Sequence, residues 1–415
     1  MNKVIILGGG TIYDIRSHFG LIAPAIGKTA SQLYKIAKEM FDDMEVNMKT
    51  TMVAGDIDTN AKTKEFKIRT NNDVETFMQR LIADKTIKII FFNIAMCDWE
   101  AEIDGISGRY AKRLNTHDGT NPTLKLTPSK KIIDIIKKDR KDIFLIGFKQ
   151  TAGYSEEQQY SKGLNLLKQA SCNLVLANDS ITRNNIIIVP EEAHYGSTNN
   201  RNDALVELCE ITKSRSKLHF TPTNVIDGQI IRWLEPIIPG SFRKVVDYCI
   251  SHSAYKPFRN ITTGHFAFKI DDHRSLSSIR KSNYKNIYES GMVLVVEEED
   301  SVTAHGAKPS AGSKSQRAMF RAHQEYDCVI HFHCPLKENP KDNIPIASQR
   351  EFECGSHECA MNTSDNMREF GNIKAVYLSE HGPNILFNRN TDPDEIIEFI
   401  EANFDLNKKT GGIIE

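Results

Sequence analysis

IKIIFFNIA, residues 87–95, is the stretch on which the fold turns. It is apolar almost without interruption and lacks the alternation of a strand that shows one face to water. Such a run reads as a strand buried on both faces, and strands of that kind belong to parallel sheets with helices on both sides. Outward from it the pattern repeats. KVIIL (3–7), IFLIGF (143–148), LVLAN (174–178) and NIIIVP (185–190) are further apolar strands, and NMKTTMVAG (47–55) reads as one more. Amphipathic helices fall between them. In 28–42, Leu33, Ile36, Ala37 and Met40 share a face. The others are expected at 72–84 with Asn72 as N-cap, at 129–138 with Ser129 as N-cap, at 155–170 and at 203–213. The alternation predicts a doubly wound α/β sheet, in which ligands sit at the carboxyl ends of the strands. Here those ends are Gly8-Gly9-Gly10-Thr11, Ala95–Trp99, Phe148–Thr151 and Asn178–Asp179.

The chain has 415 residues, more than one ordinary core holds. SRSKLHFTPTNVIDG (214–228) is polar and contains Pro and Gly, which sets the expected domains at 1–216 and 217–415. The second half reads as α+β: short strands HFAFKI, MVLVVEE, CVIHFH, IPIAS, KAVYLS and NILF, with helices at 315–325 and 393–403. The formal net charge of −1 gives no field that would draw nucleic acid or an acidic membrane. No apolar run reaches the roughly 18 residues that span a bilayer. MNKVIILGGG reads as a buried strand entering a glycine turn rather than a signal peptide. Eight cysteines without a CxxC pair suit a cytoplasmic chain with reduced thiols.

GGGT after a strand suits a phosphate cradle, because glycines let backbone amides approach an anion. The strict GxGxxG is absent, since Tyr13 takes the place of the third glycine, and a tight turn without ligand reads equally well. Six landmarks in order across residues 3–181 resemble the phosphopantothenoylcysteine synthetase family, the CTP- or ATP-dependent ligase of coenzyme A biosynthesis. They are IILGGGTIYDIR, FFNIAMCDW, GRYAKRL, LTPSKKIIDII, LIGFKQT and LVLANDSI. The resemblance implies a Rossmann-like domain with nucleotide contacts at Gly8, Gly9, Gly10, Thr11, Ala95, Asp98, Phe148, Asn178 and Asp179. It further implies Arg16 on the anionic substrate, Lys112 on the activated carboxylate, and magnesium with the nucleotide. One departure is plain: HFGLIAPAIGKTA stands where the family has an Asn-x-Ser-Ser-Gly run. Nucleotide binding therefore carries over more readily than the joining of a carboxylate to an amine.

On a strand, residues two apart point to one face, so His331 and His333 in VIHFHC stand side by side. A lone HxH is more often a pair of core histidines with ordinary hydrogen-bond partners. The surroundings, HGAKPSAGSKSQRAMFRAHQEYDCVIHFHCP before and AVYLSEHGPNILF after, resemble the class II aldolase/adducin family over roughly residues 225–405. The resemblance implies a divalent metal, zinc first and manganese or iron as alternatives, on His331, His333 and His381. It implies an anion pocket from Gly264, His265, Arg280, Lys281, Lys308 and Ser310. The family's proton-moving Glu is missing: Gly312 stands at its position. Glu353 and Glu358, in REFECGSHECAMNT, are the candidates to replace it, with helix capping as their plainer role.

Together the resemblances imply a metal-dependent lyase, dehydratase or epimerase for a small anionic, phosphorylated substrate, fused to a CTP- or ATP-binding synthetase-like domain. By analogy the chain is a homo-oligomer with no nucleic-acid or membrane partner. The alternative is a non-catalytic nucleotide-sensing or scaffold protein of the adducin kind.

Overall fold

The structure, a computed structural model, describes residues 1–51, 67–117, 119, 121–258, 260–298 and 301–411. The chain forms two compact units. One holds Met1–Val189 and Gly196–Ser216; the other holds Lys217–Glu415 together with Pro190–Tyr195. The short segment 190–195 thus leaves the unit that surrounds it in sequence.

The first unit is built on a seven-stranded sheet in the order His194–Thr198, Asn185–Ile188, Leu174–Asp179, Phe144–Thr151, Ile87–Ala95, Lys3–Gly10, Glu45–Thr50. The five strands from Leu174–Asp179 to Glu45–Thr50 pair in parallel, and Asn185–Ile188 returns antiparallel. Their cores carry Ile, Leu, Val and Phe on both faces, so Ile6, Ile90, Leu145 and Leu176 are fully buried. Helices Lys28–Met40, Asn71–Ala83, Asp134–Asp139, Glu156–Ala170 and Arg201–Arg215 connect and cover these strands.

Two helix starts differ from the sequence reading. The second helix is capped by Thr70, not Asn72, because Thr70 and Asp73 close a reciprocal capping box. The third begins at Asp134, without a side-chain cap. Its expected cap, Ser129, instead gives its amide to the Asp98 carbonyl at 2.9 Å, which holds the preceding turn away from the helix. The strand expected at 47–55 is seen as Glu45–Thr50; residues 52–55 lie outside the described residues.

The second unit has a ten-stranded, mostly antiparallel sheet. Its central order is Met292–Glu297, Arg274–Ser278, His265–Lys269, Cys328–His331, Gly382–Phe387, Ile373–Leu378. Helix Gly240–Ser251 lays Phe242 and Val246 into an aromatic core with Trp233, Phe266, Phe268 and Phe387. Each such ring taken from water contributes roughly 1.5–3 kcal/mol. Trp233 buries its indole and keeps its N–H satisfied on Asp247 Oδ1 at 3.0 Å. Helices Ser313–Ala322 and His357–Asp365 pack on each other beside a second cluster around Met319 and Val329. This packing fixes the strand that carries the histidines.

Candidate functional site

In the first unit the predicted strand ends converge. Gly10 pairs with Ala95, and Thr151 pairs with Asp179. The glycine loop is packed by the protein itself. A Cβ on Gly8 would lie 2.3 Å from the Ala30 Cβ, and one on Gly10 would lie 1.7 Å from the Ala23 carbonyl. Both glycines are therefore needed for the 23–30 segment to cross the strand end. Gly9 has φ +90°. Thr11 is buried, donates to Asn71 Oδ1 (2.6 Å) and accepts from the Cys97 amide (2.8 Å), which ties two strand ends to the second helix.

Asp179 is buried, and its carboxylate accepts from Thr151 Oγ1 and from the amides of Gly153, Tyr154, Ile181 and Thr182. Burial alone would raise its pKa; the surrounding amides outweigh that and hold it well below the usual carboxylate range. Its visible work is to fix two loops. Arg16 is likewise buried and donates to the carbonyls of Ile15, Ile103 and Ile106, so its guanidinium braces a turn. Asp98 is exposed and paired with Lys131, and Lys112 is exposed on the loop that follows. Phe148 and Asn178 are half-buried at their strand ends.

The second unit brings three histidines together. His331 ends the strand Cys328–His331, His333 follows two residues on, and His381 sits in the turn between Ile373–Leu378 and Gly382–Phe387. That turn needs Gly382, at φ +145°, where a Cβ would meet the Phe332 carbonyl at 2.1 Å. The rings lie 5.1 Å (331 to 333), 4.5 Å (331 to 381) and 4.7 Å (333 to 381) apart. One nitrogen from each falls within 4.8 Å of the others, and all three residues are buried. Among the described residues this is the one such group.

The chemistry of the set fits a metal ion. His331 Nδ1 lies 2.7 Å from the Pro383 carbonyl, so it donates there and leaves Nε2 as the lone-pair nitrogen. That Nε2 is buried without a hydrogen-bond partner, a costly arrangement unless something accepts its lone pair. Burial pushes the His331 imidazole down to about 4, and burial with the neighbouring imidazoles pushes His333 well below its ordinary value. Both are neutral at pH 7, the form that ligates.

The position of the missing Glu has a physical explanation. A Cβ on Gly312 would lie 2.0 Å from His265 Nε2, so the His265 ring fills the space a side chain would use. His265 pairs across the strands with His331, and their rings are 4.7 Å apart. Gln316 Nε2 donates to His265 Nδ1 at 2.9 Å, and Ser277 Oγ donates to Gln316 Oε1 at 2.9 Å. His265, expected in an anion pocket, lies against His331 of the three-histidine group.

The other pocket residues are brought to one rim. Arg280 donates its amide to the Lys308 carbonyl at 2.9 Å, Ser310 to Ser278 at 2.9 Å, and Gly264 packs against the His331 carbonyl. Lys281 is exposed at φ +63°. Ser356, not Glu358, caps the helix His357–Asp365; Glu358 stands in its first turn and binds His219, accepting from the backbone amide at 3.1 Å and meeting Nδ1 at 2.7 Å. Glu353 lies in the turn before that helix, half-buried. Sequence reasoning passed over Glu192, which comes within 3.9 Å of His333 Nδ1. Cys354 holds its Sγ 3.8 Å from His381 Nε2.

Residues 2–213, just over half of the chain, match the DNA/pantothenate metabolism flavoprotein C-terminal domain. The chain belongs to that family. Residues 244–386 match the class II aldolase and adducin N-terminal domain, so the family's domain is here joined to a second one. Over 125 residues the chain is 30% identical to the coenzyme A biosynthesis bifunctional protein CoaBC of Thermococcus kodakarensis, covering 27% of this chain and 30% of that protein. The chain thus spans less than a third of that relative. The DNA/pantothenate metabolism flavoprotein of Streptococcus pneumoniae is 19% identical in structural superposition, with a TM-score of 0.42, covering 51% of this chain and 96% of that one. An L-fuculose 1-phosphate aldolase is 16% identical, with a TM-score of 0.30, covering 39% of this chain and 81% of that one. Among the described residues no helix is long and apolar enough to cross a membrane, and all eight cysteines are free thiols.

Proposed function

We propose that the second unit is a metal-dependent enzyme of the class II aldolase kind, acting on a small anionic substrate by carbon–carbon cleavage, dehydration or epimerisation. The observation that carries this is the buried, partnerless Nε2 of His331, facing a space shared with His333 and His381. His331, His333 and His381 would hold a divalent ion, zinc first, and the chemistry it would supply is polarisation of a substrate carbonyl or hydroxyl oxygen. Arg280, Lys281 and Lys308, on the rim formed by residues 278–282 and 308–310, would hold a phosphate or carboxylate. Glu353 and Glu358 are the two carboxylates proposed for proton transfer; Glu358 is held by exposed His219, and Glu353 is half-buried in the turn before the helix.

For the first unit we infer binding of CTP or ATP with magnesium at the ends of the parallel strands, near Gly9, Ala95, Phe148 and Asn178. The buried bracing by Arg16 and Asp179 supports a scaffold that shapes this site rather than one that touches the nucleotide with those two groups. Lys112, exposed, is the group available to a carboxylate substrate there.

The aldolase-like reading is tested by assaying purified protein against a panel of sugar phosphates and 2-hydroxy acids for loss, dehydration or epimerisation of substrate. Turnover that a chelator abolishes and zinc, manganese or iron restores is expected. Turnover indifferent to chelation, or surviving in His331→Ala, rejects it.

A further inference from the structure

The three-histidine group is closed on one side by chain outside residues 244–386. Two segments do this. Pro190–Tyr195 leaves the first unit to join the second. The C-terminal stretch follows the strand pair: the Thr410 amide donates to the His333 carbonyl at 3.2 Å, and its hydroxyl donates to the His381 carbonyl. Between these segments, Lys409 Nζ lies 3.3 Å from Glu192 Oε2.

Glu192 is only 5% exposed, and the same Oε2 lies 3.9 Å from His333 Nδ1. Its backbone sits at φ +68°, a region that costs a non-glycine residue about 1 kcal/mol or more and persists only where packing demands it. The packing is visible: a Cβ on Gly411 would lie 2.2 Å from the Glu192 carbonyl. A buried carboxylate is thus held in a strained conformation behind an imidazole whose companions form a metal group.

We propose that Glu192 is the outer carboxylate of the metal centre, accepting the Nδ1 proton of His333 so that Nε2 is presented to the ion. His331 is already held in the same sense by the Pro383 carbonyl. Metal-ligating histidines generally give their second N–H to such a partner, which fixes the ring and raises its basicity. The present 3.9 Å is longer than a hydrogen bond, and a small side-chain movement closes it to one. Glu192 is a positioning residue, and the proposal rests on the metal-dependent reading above. It gives segment 190–195 a purpose in the second unit and ties the centre to residues that no aldolase-like motif contains.

The test uses the full chain, stripped with a chelator and titrated with zinc against a chromophoric competitor, and separately with cobalt(II) to read the visible ligand-field bands. Glu192→Gln keeps the shape and removes the charge. Its zinc Kd is expected to rise about 10–100-fold, with a changed cobalt spectrum. Glu192→Asp keeps the charge but draws it back from His333, and a smaller rise is expected; this variant serves if Glu192→Gln does not fold. Wild-type Kd and cobalt spectrum in either variant overturn the proposal while leaving the metal reading intact. A wild type that binds neither ion overturns both.

Discussion

Gly312→Ala separates two opposite expectations. At φ −73° and ψ −1° the Gly312 backbone suits alanine without strain. Replacing glycine at such a site stabilises a protein by about 0.4–1 kcal/mol, through the reduced freedom of the unfolded chain. The new Cβ, however, would lie 2.0, 2.2 and 2.8 Å from three atoms of the His265 ring. That ring cannot swing aside cheaply. It is buried against His331 and held by Gln316, which is itself held by Ser277. Overpacking of this kind costs about 1–3 kcal/mol, so a net loss of roughly 1–2 kcal/mol is expected in urea unfolding of the metal-free protein. In a His265→Ala background the obstacle is gone, and the same substitution should be neutral or stabilising. The coupling between the two sites is then about 1–3 kcal/mol. Additive effects, or a Gly312→Ala protein as stable as wild type, would refute the account of why the usual Glu is missing.

Other expectations follow from single groups. In the metal-free protein, stability should fall as pH drops from 6.5 towards 4: unfolded His331 binds its proton near 6.5 but the folded residue only near about 4, so the unfolded state takes up more protons in that window. Above pH 6.5 the contribution is complete, and its loss amounts to about 3 kcal/mol, read from urea midpoints at stepped pH; a flat profile contradicts it. Asp179→Ala strands four amides and a hydroxyl and should cost roughly 2–5 kcal/mol, seen as an earlier unfolding transition; a change below about 1 kcal/mol contradicts that role. Thr70→Ala removes a capping box and should cost about 1 kcal/mol, against no change for Asn72→Ala if Thr70 is the cap.

The parallel sheet was legible because IKIIFFNIA and its companions are apolar on both faces, a pattern few other settings tolerate. The order of the strands was not legible, because the alternation leaves open which strands pair. The second sheet was partly hidden. Arg274–Ser278 and Val302–His305 are too polar to read as strands, yet both belong to the sheet. Ser277, fully buried there, is accounted for by its bond to Gln316. The histidines of VIHFHC were expected side by side from the period of a strand; the strand ends at His331, yet the two rings lie 5.1 Å apart, and His381 was expected from its motif. Nothing in the sequence placed His265 in the space of the missing Glu, because that depends on a cross-strand register and the lack of one Cβ. Glu192 was invisible for a related reason: its segment joins a unit that begins more than twenty residues later. The glycine loop reads equally as a phosphate cradle or a tight turn, and that its first and third glycines admit Ala30 and Ala23 is shown only by the packed chain.

The central claim is that His331, His333 and His381 hold a divalent ion. Metal content of the purified chain, measured by mass spectrometry with wild type beside His381→Ala, tests it most directly. About one zinc, manganese or iron per chain in wild type, lost in the variant, is the predicted result. A wild type that stays metal-free after incubation with these ions would contradict it, and would make the three residues core histidines in a chain better pursued through its first unit.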